Sequence, residues 1–200
     1  MPTYWGVTGT AVVTSARAEV PQGIWDPDAA DIWTEFQDQV NAFHAGLVAA
    51  GYRPDARFVF VSLGTNDQAL STGTAEYQAA IGRILEGIRE ECSTRAKPRE
   101  ELGVVFLEPI VHGRSTITSA TTRLYQTALR NAISGDTRAV TLNVDESADR
   151  IADPVTISYD RVHPDVNGYV NLGLRAVRAA TEIGTWDAAP DADAGGSGTG

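Results

Sequence analysis

Cysteine is almost missing: Cys92 stands alone in 200 residues, so the chain can close no internal disulfide and offers no cysteine-based metal site. Positive charge is scarce as well. Sixteen Lys and Arg face 26 Asp and Glu, a formal net charge of −10. Such a chain repels phosphates on average, which argues against nucleic acid and against an anionic bilayer as a partner. No apolar run approaches the length of a membrane-spanning helix, and Met1-Pro2-Thr3-Tyr4 lacks the basic and apolar regions of a signal peptide. A neutral small molecule is the easier ligand to accommodate.

What is present fits one α/β domain. Hydrophobic residues make up 42% and charged residues 21%, ordinary values for a chain long enough to bury a substantial core. Ile32, Phe36, Val40, Phe43, Leu47 and Val48 recur at helical spacing, which predicts an amphipathic helix over roughly 29–50, closed by Gly51, with its apolar stripe in the core. His44 on that helix reads as a surface or boundary residue with no metal partners near it. Phe58 to Ser62 reads as a buried strand. A helix follows from Ala75 to Cys92, then a strand at Val104 to Leu107, a helix over about 118–133, a strand at Ala139 to Val144 and a last helix from Val166 to Ile183. This alternation predicts a parallel sheet covered on both faces. Val20 to Asp31, with Pro21, Gly23 and Pro27, reads as an inserted loop.

Two motifs carry chemistry. Asp160-Arg161-Val162-His163-Pro164 sets an Asp and a His three apart, ahead of the last helix. In a hydrolytic triad the imidazole takes the nucleophile's proton while the carboxylate fixes the ring tautomer. Taken alone, the pair is better read as a turn aspartate and a loop histidine. Leu63-Gly64-Thr65-Asn66-Asp67 directly follows the Phe58–Ser62 strand. Ligands gather beyond the carboxyl ends of parallel strands, so a side-chain amide there can face a reacting oxygen. Taken alone, Asn66 is better read as a strand-to-helix turn or cap residue.

In this order, G-T-N-D after a strand and D-R-V-H-P before the terminal helix resemble the SGNH (GDSL-type) hydrolases. Tyr4-Trp5-Gly6-Val7-Thr8-Gly9-Thr10 is similar to that family's second block, so the resemblance runs over about residues 3 to 182. It implies a three-layer α/β/α sandwich with a mainly parallel, flavodoxin-like sheet of about five strands. It implies ester hydrolysis in which Gly9 N–H and Asn66 hold the oxyanion, His163 is the general base and Asp160 orients it. No metal or cofactor is implied.

The departure is the first block, a strand ending in Gly-Asp-Ser with the nucleophilic serine. Only eight residues precede Gly9, and Gly-Asp-Ser occurs nowhere. Gly135-Asp136-Thr137 is the nearest string, but it lies between a helix and a strand and reads as a loop at the wrong end of the sheet. Three explanations stand. The chain is N-terminally incomplete, its first strand and serine absent or supplied by another segment; this would leave unpaired backbone groups and an apolar slot in the sheet. Alternatively Trp5-Gly6-Val7-Thr8 is itself the first block, with Thr8 in the serine's place. Or the chain is a non-catalytic relative. Ser15 and Ser62 are substitute nucleophiles only in the loosest sense.

Pro109-Ile110-Val111-His112-Gly113-Arg114 leaves a strand at the edge that carries Asn66, which makes His112 and Arg114 candidate substrate contacts. Trp25, with Trp33, is a candidate wall for a sugar ring. The domain organisation is a hydrolase-like domain over 1–186 and a flexible linker over 187–200, acidic and then Gly-rich, that suits a tether to a further domain. The expected function is hydrolysis of an ester, with deacetylation of a carbohydrate preferred. The alternative is a glycan-binding module without catalysis, in a surface or phage virion protein. A secreted or virion-associated location is preferred over a cytoplasmic one.

Overall fold

The computed structural model describes residues 10–54, 56–93, 99–110, 118–143 and 165–184. Its elements run α1 (Ile32–Ala49), β1 (Phe58–Ser62), α2 (Thr65–Leu70), α3 (Thr74–Cys92), β2 (Gly103–Leu107), α4 (Ser119–Ala132), β3 (Ala139–Leu142) and α5 (Val166–Glu182), with single 3-10 turns at Thr14–Ala16, Pro27–Ala29 and Arg99–Glu101. The starts of α4 and α5 follow from side-chain caps: Thr118 Oγ1 accepts from Thr121 N at 3.1 Å and Asp165 Oδ1 accepts from Gly168 N at 2.8 Å. Gly51, at φ 81°, follows the end of α1 as the spacing predicts.

The three described strands form a small open parallel sheet in the order β1-β2-β3, against an expectation of about five. Side-chain alternation divides β2 between two helix layers. Val104 and Phe106 join the main core with Tyr77, Ile81 and Ile84 of α3 and Leu129 of α4. Val105 packs against Ala176, Ala179 and Ala180 of α5, and Leu107 against Leu172. All five residues of β2 are buried, as a central parallel strand requires. β1 differs. Among the described residues it pairs only with β2, and Phe60 on it is 37% exposed.

Two expectations need correction. The apolar stripe of α1 is fully buried only in its first turn: Ile32 and Trp33 are buried, Phe36 and Val40 are half-buried against the core, Phe43 and Leu47 are half-buried, and Val48 is exposed. The helix outruns its partner, so the helical period persists where the packing has stopped. The 20–31 segment is no loose insertion either. Ile24 is fully buried and makes a parallel bridge to Ala11. Asp26, 2% exposed, caps the Pro27–Ala29 turn and receives both Nε and Nη2 of Arg83, at 2.8 and 2.6 Å. That fork ties the segment to α3.

Candidate functional site

The carboxyl end of β1 leads through Leu63 and Gly64 into the six-residue helix α2, with Gly64 as its N-cap at φ 101°. Two constraints make this position a glycine. Its backbone is left-handed, and a Cβ there would lie 2.5 Å from Tyr77 Oη. Tyr77 is fully buried, and its hydroxyl finds no hydrogen-bond partner among the described residues.

Asn66 follows, half-buried in the first turn of α2. Its Nδ2 donates to Thr10 O at 2.7 Å. Among the described residues this is the one hydrogen bond of the amide, and a primary amide carries two N–H donors. Trp25 converges on the same residue, its Nε1 donating to Thr10 Oγ1 at 2.9 Å. Trp25 is half-buried with its ring centroid 6.3 Å from that of Phe36. Thr10 thus joins Asn66 to Trp25. Trp33 does not share in this: it is buried, with Phe36 at 5.0 Å and Gly87 against its ring.

Asp67, named in the motif but given no role by the sequence, is the most deeply engaged residue of the site. It is wholly buried. Its Oδ1 accepts from Val12 N and Val13 N, both at 3.1 Å, and its Oδ2 from Val12 N at 2.9 Å. Burial pushes the carboxyl up to about 6 in spite of those hydrogen bonds, which favour the charged form.

A second polar layer lies behind α2. Gln68 donates from Nε2 to Ile110 O at 3.3 Å and accepts from Thr122 Oγ1 at 2.9 Å, while Gln126 Nε2 donates to Pro109 O at 2.9 Å. Glu108, 1% exposed at the end of β2, accepts from Arg130 Nε and Nη2 at 2.7 and 2.8 Å and from Asn143 Nδ2 at 2.6 Å. Gln68, Gln126, Glu108 and Arg130 escaped sequence reading because glutamine, glutamate and arginine usually face water. Gln68 and Gln126 hold the carbonyls of Ile110 and Pro109, just ahead of His112 and Arg114 in sequence.

Of the residues singled out in the sequence, the structure brings Asn66 and Trp25 together. Gly9, His112, Arg114, Asp160 and His163 lie outside the described residues, as does Thr8. Ser15 is exposed with its Oγ 2.7 Å from Glu76 Oε2, and Ser62 is an exposed residue of β1. Gly135-Asp136-Thr137 is the turn from α4 to β3, at the amino end of that strand. A groove of about 540 Å³ between α1 and α3 is lined by residues such as Trp33, Arg83, Glu86 and Glu90 and shares none with the Asn66 cluster. Among the described residues no group of His, Cys, Asp and Glu could hold a metal ion, and no helix is long and apolar enough to cross a membrane. Comparison with known family models, with curated proteins and with solved structures returns no match.

Proposed function

We propose that this chain is the larger part of an SGNH (GDSL-type) ester hydrolase with a flavodoxin-like α/β/α sandwich, acting on a neutral ester such as an O-acetylated carbohydrate. A serine hydroxyl, on a segment additional to this sequence, attacks the ester carbonyl carbon and gives its proton to His163. Asp160 orients the imidazole. The negative oxygen of the tetrahedral intermediate is held by Gly9 N–H and Asn66 Nδ2. Collapse expels the alcohol, which takes the proton from His163, and water then releases the acid by the same steps in reverse roles.

The observation that carries this reading is Asn66 at the carboxyl end of a parallel strand, its amide oriented by Thr10 O with one N–H left over. The apolar β1 strand, with Phe60 exposed beside an edge that no described strand occupies, supports a further strand bearing the nucleophile. The second reading, a glycan-binding module without catalysis, draws on the lack of a substitute nucleophile: Ser15 is tied to Glu76, and Ser62 lies within β1. Against it, a binder has no chemical need for a base, its orienter and an oxyanion donor together.

Treatment with a fluorophosphonate, read by intact mass, separates these. The chain alone is compared with any longer product read through upstream of Met1. Labelling confined to the longer product is the expected result. Labelling of the chain alone reveals a substitute nucleophile and overturns the block assignment, and no labelling in either favours the binding module.

A further inference from the structure

Asn66 and Asp67 are neighbours in sequence and act on one short run of backbone from two sides. Asn66 Nδ2 donates to Thr10 O at 2.7 Å, and Asp67 takes Val12 N and Val13 N at 2.9 to 3.1 Å. We propose that Asp67 is a positioning residue for the Asn66 amide: by gripping Val12 and Val13 it fixes the Thr10–Val13 backbone on which that amide rests. The catalytic part of this rests on the hydrolase reading above; the grip does not.

The physical case is one of tolerance. A donor acts on a developing oxyanion only within a few tenths of an ångström, and a misplacement of about 1 Å costs on the order of 10²-fold in rate. The Asn66 amide and the Thr10 carbonyl that orients it lie on segments 56 residues apart in sequence and need a rigid link between those segments. The dipeptide Asn66-Asp67 is such a link, since it holds both the acceptor and the donor side of the Thr10–Val13 backbone. Capping the Thr14–Ala16 turn would not need it, because a surface Ser or Asp does that without taking a carboxylate out of water. The titratable groups that face Asp67 are Glu76 and Tyr77 of α3 and Tyr125 of α4. None of them supplies a compensating positive charge, so the valine amides are its main support.

Nuclear magnetic resonance of the whole 15N-labelled chain tests the link. Between about pH 4.5 and 8 the Val12 and Val13 amides and the Asn66 side-chain amide should shift together, with one midpoint near 6. In Asp67→Asn the common shift should vanish, and hydrogen exchange at Val12 and Val13 should quicken about tenfold or more. Asp136→Asn, which weakens the contact with Arg89 at the amino end of β3, should lower stability and leave the Asn66 amide where it was. An Asn66 amide that stays still while the valines titrate overturns the proposal, and so does silence at all three. The wild-type titration decides even if Asp67→Asn fails to fold. In a longer product that labels with a fluorophosphonate, Asp67→Asn should slow labelling about tenfold. Unchanged labelling there removes the catalytic role; absence of any labelling removes the hydrolase reading and leaves the measured grip intact.

Discussion

Gly64 and Tyr77 compete for one volume: a Cβ on the glycine would stand 2.5 Å from the tyrosine hydroxyl, on a backbone already at φ 101°. Gly64→Ala should therefore destabilise by about 2–4 kcal/mol, the sum of a left-handed alanine and an overpacked contact. Tyr77→Phe removes a buried hydroxyl that has no partner among the described residues, and should be neutral or raise stability by about 1 kcal/mol. Chemical denaturation of both, and of the double variant, checks this. A double variant no better than Gly64→Ala would mean that backbone strain alone sets the cost.

Asp67 and Asp136 respond to acid in opposite directions. The folded Asp67 carboxyl is raised to about 6 from an ordinary 3.8, so the folded state binds its proton first. Stability from this group is present below the unfolded value and is lost as pH rises through 6, a difference on the order of 3 kcal/mol. For Asp136, burial pushes the carboxyl up, but the hydrogen bonds from Arg89 and from the Arg138 backbone outweigh it and hold it below 3.8. Its contribution is full above that value and disappears in stronger acid. Melting from pH 7 to 5 should show a rise that Asp67→Asn flattens, and Asp136→Asn should leave that rise in place.

Arg130 is the cation beside the buried Glu108 carboxylate. Arg130→Ala strands that charge with the Asn143 amide and should cost roughly 3 kcal/mol by thermal or urea unfolding. Arg130→Lys should recover only part of it, since an ammonium cannot reproduce the two-pronged contact. Full recovery by lysine would show that charge, not the fork, matters.

Asn66→Ala is the test of the catalytic assignment. In the catalytically complete protein it should lower turnover by on the order of 10² to 10³ and cost stability only about 1 kcal/mol, for the loss of a single half-buried hydrogen bond. Unchanged activity would remove Asn66 from the mechanism.

The longer helices were legible because each is strongly periodic, and the strands because each is a short apolar run, whereas the six-residue α2 was not read from the sequence. Thr74–Cys92 and Ser119–Ala132 fall within a residue or two of the spacing's prediction. Where periodicity says nothing about partners, reading failed. The stripe of α1 continues to Val48 although nothing packs on it there, and Ile24, in a run that reads as a loop, is fully buried. In G-T-N-D the eye goes to the amide, yet the aspartate is the residue that binds a distant segment. A buried carboxylate leaves no pattern in the sequence, since its cost and its partners, Val12 and Val13, appear only in three dimensions.

The edge of β1 that no described strand occupies turns catalysis, on the reading proposed above, into a question of stoichiometry. If the strand with the nucleophile is tethered to this chain, its effective concentration is of the order of millimolar and turnover per molecule is indifferent to dilution. If it belongs to a separate polypeptide, turnover follows the product of two concentrations and falls away on dilution, and either piece in excess titrates the other. The edge of a three-stranded sheet would then set not only where the reaction happens but how much of the protein, at any moment, is an enzyme.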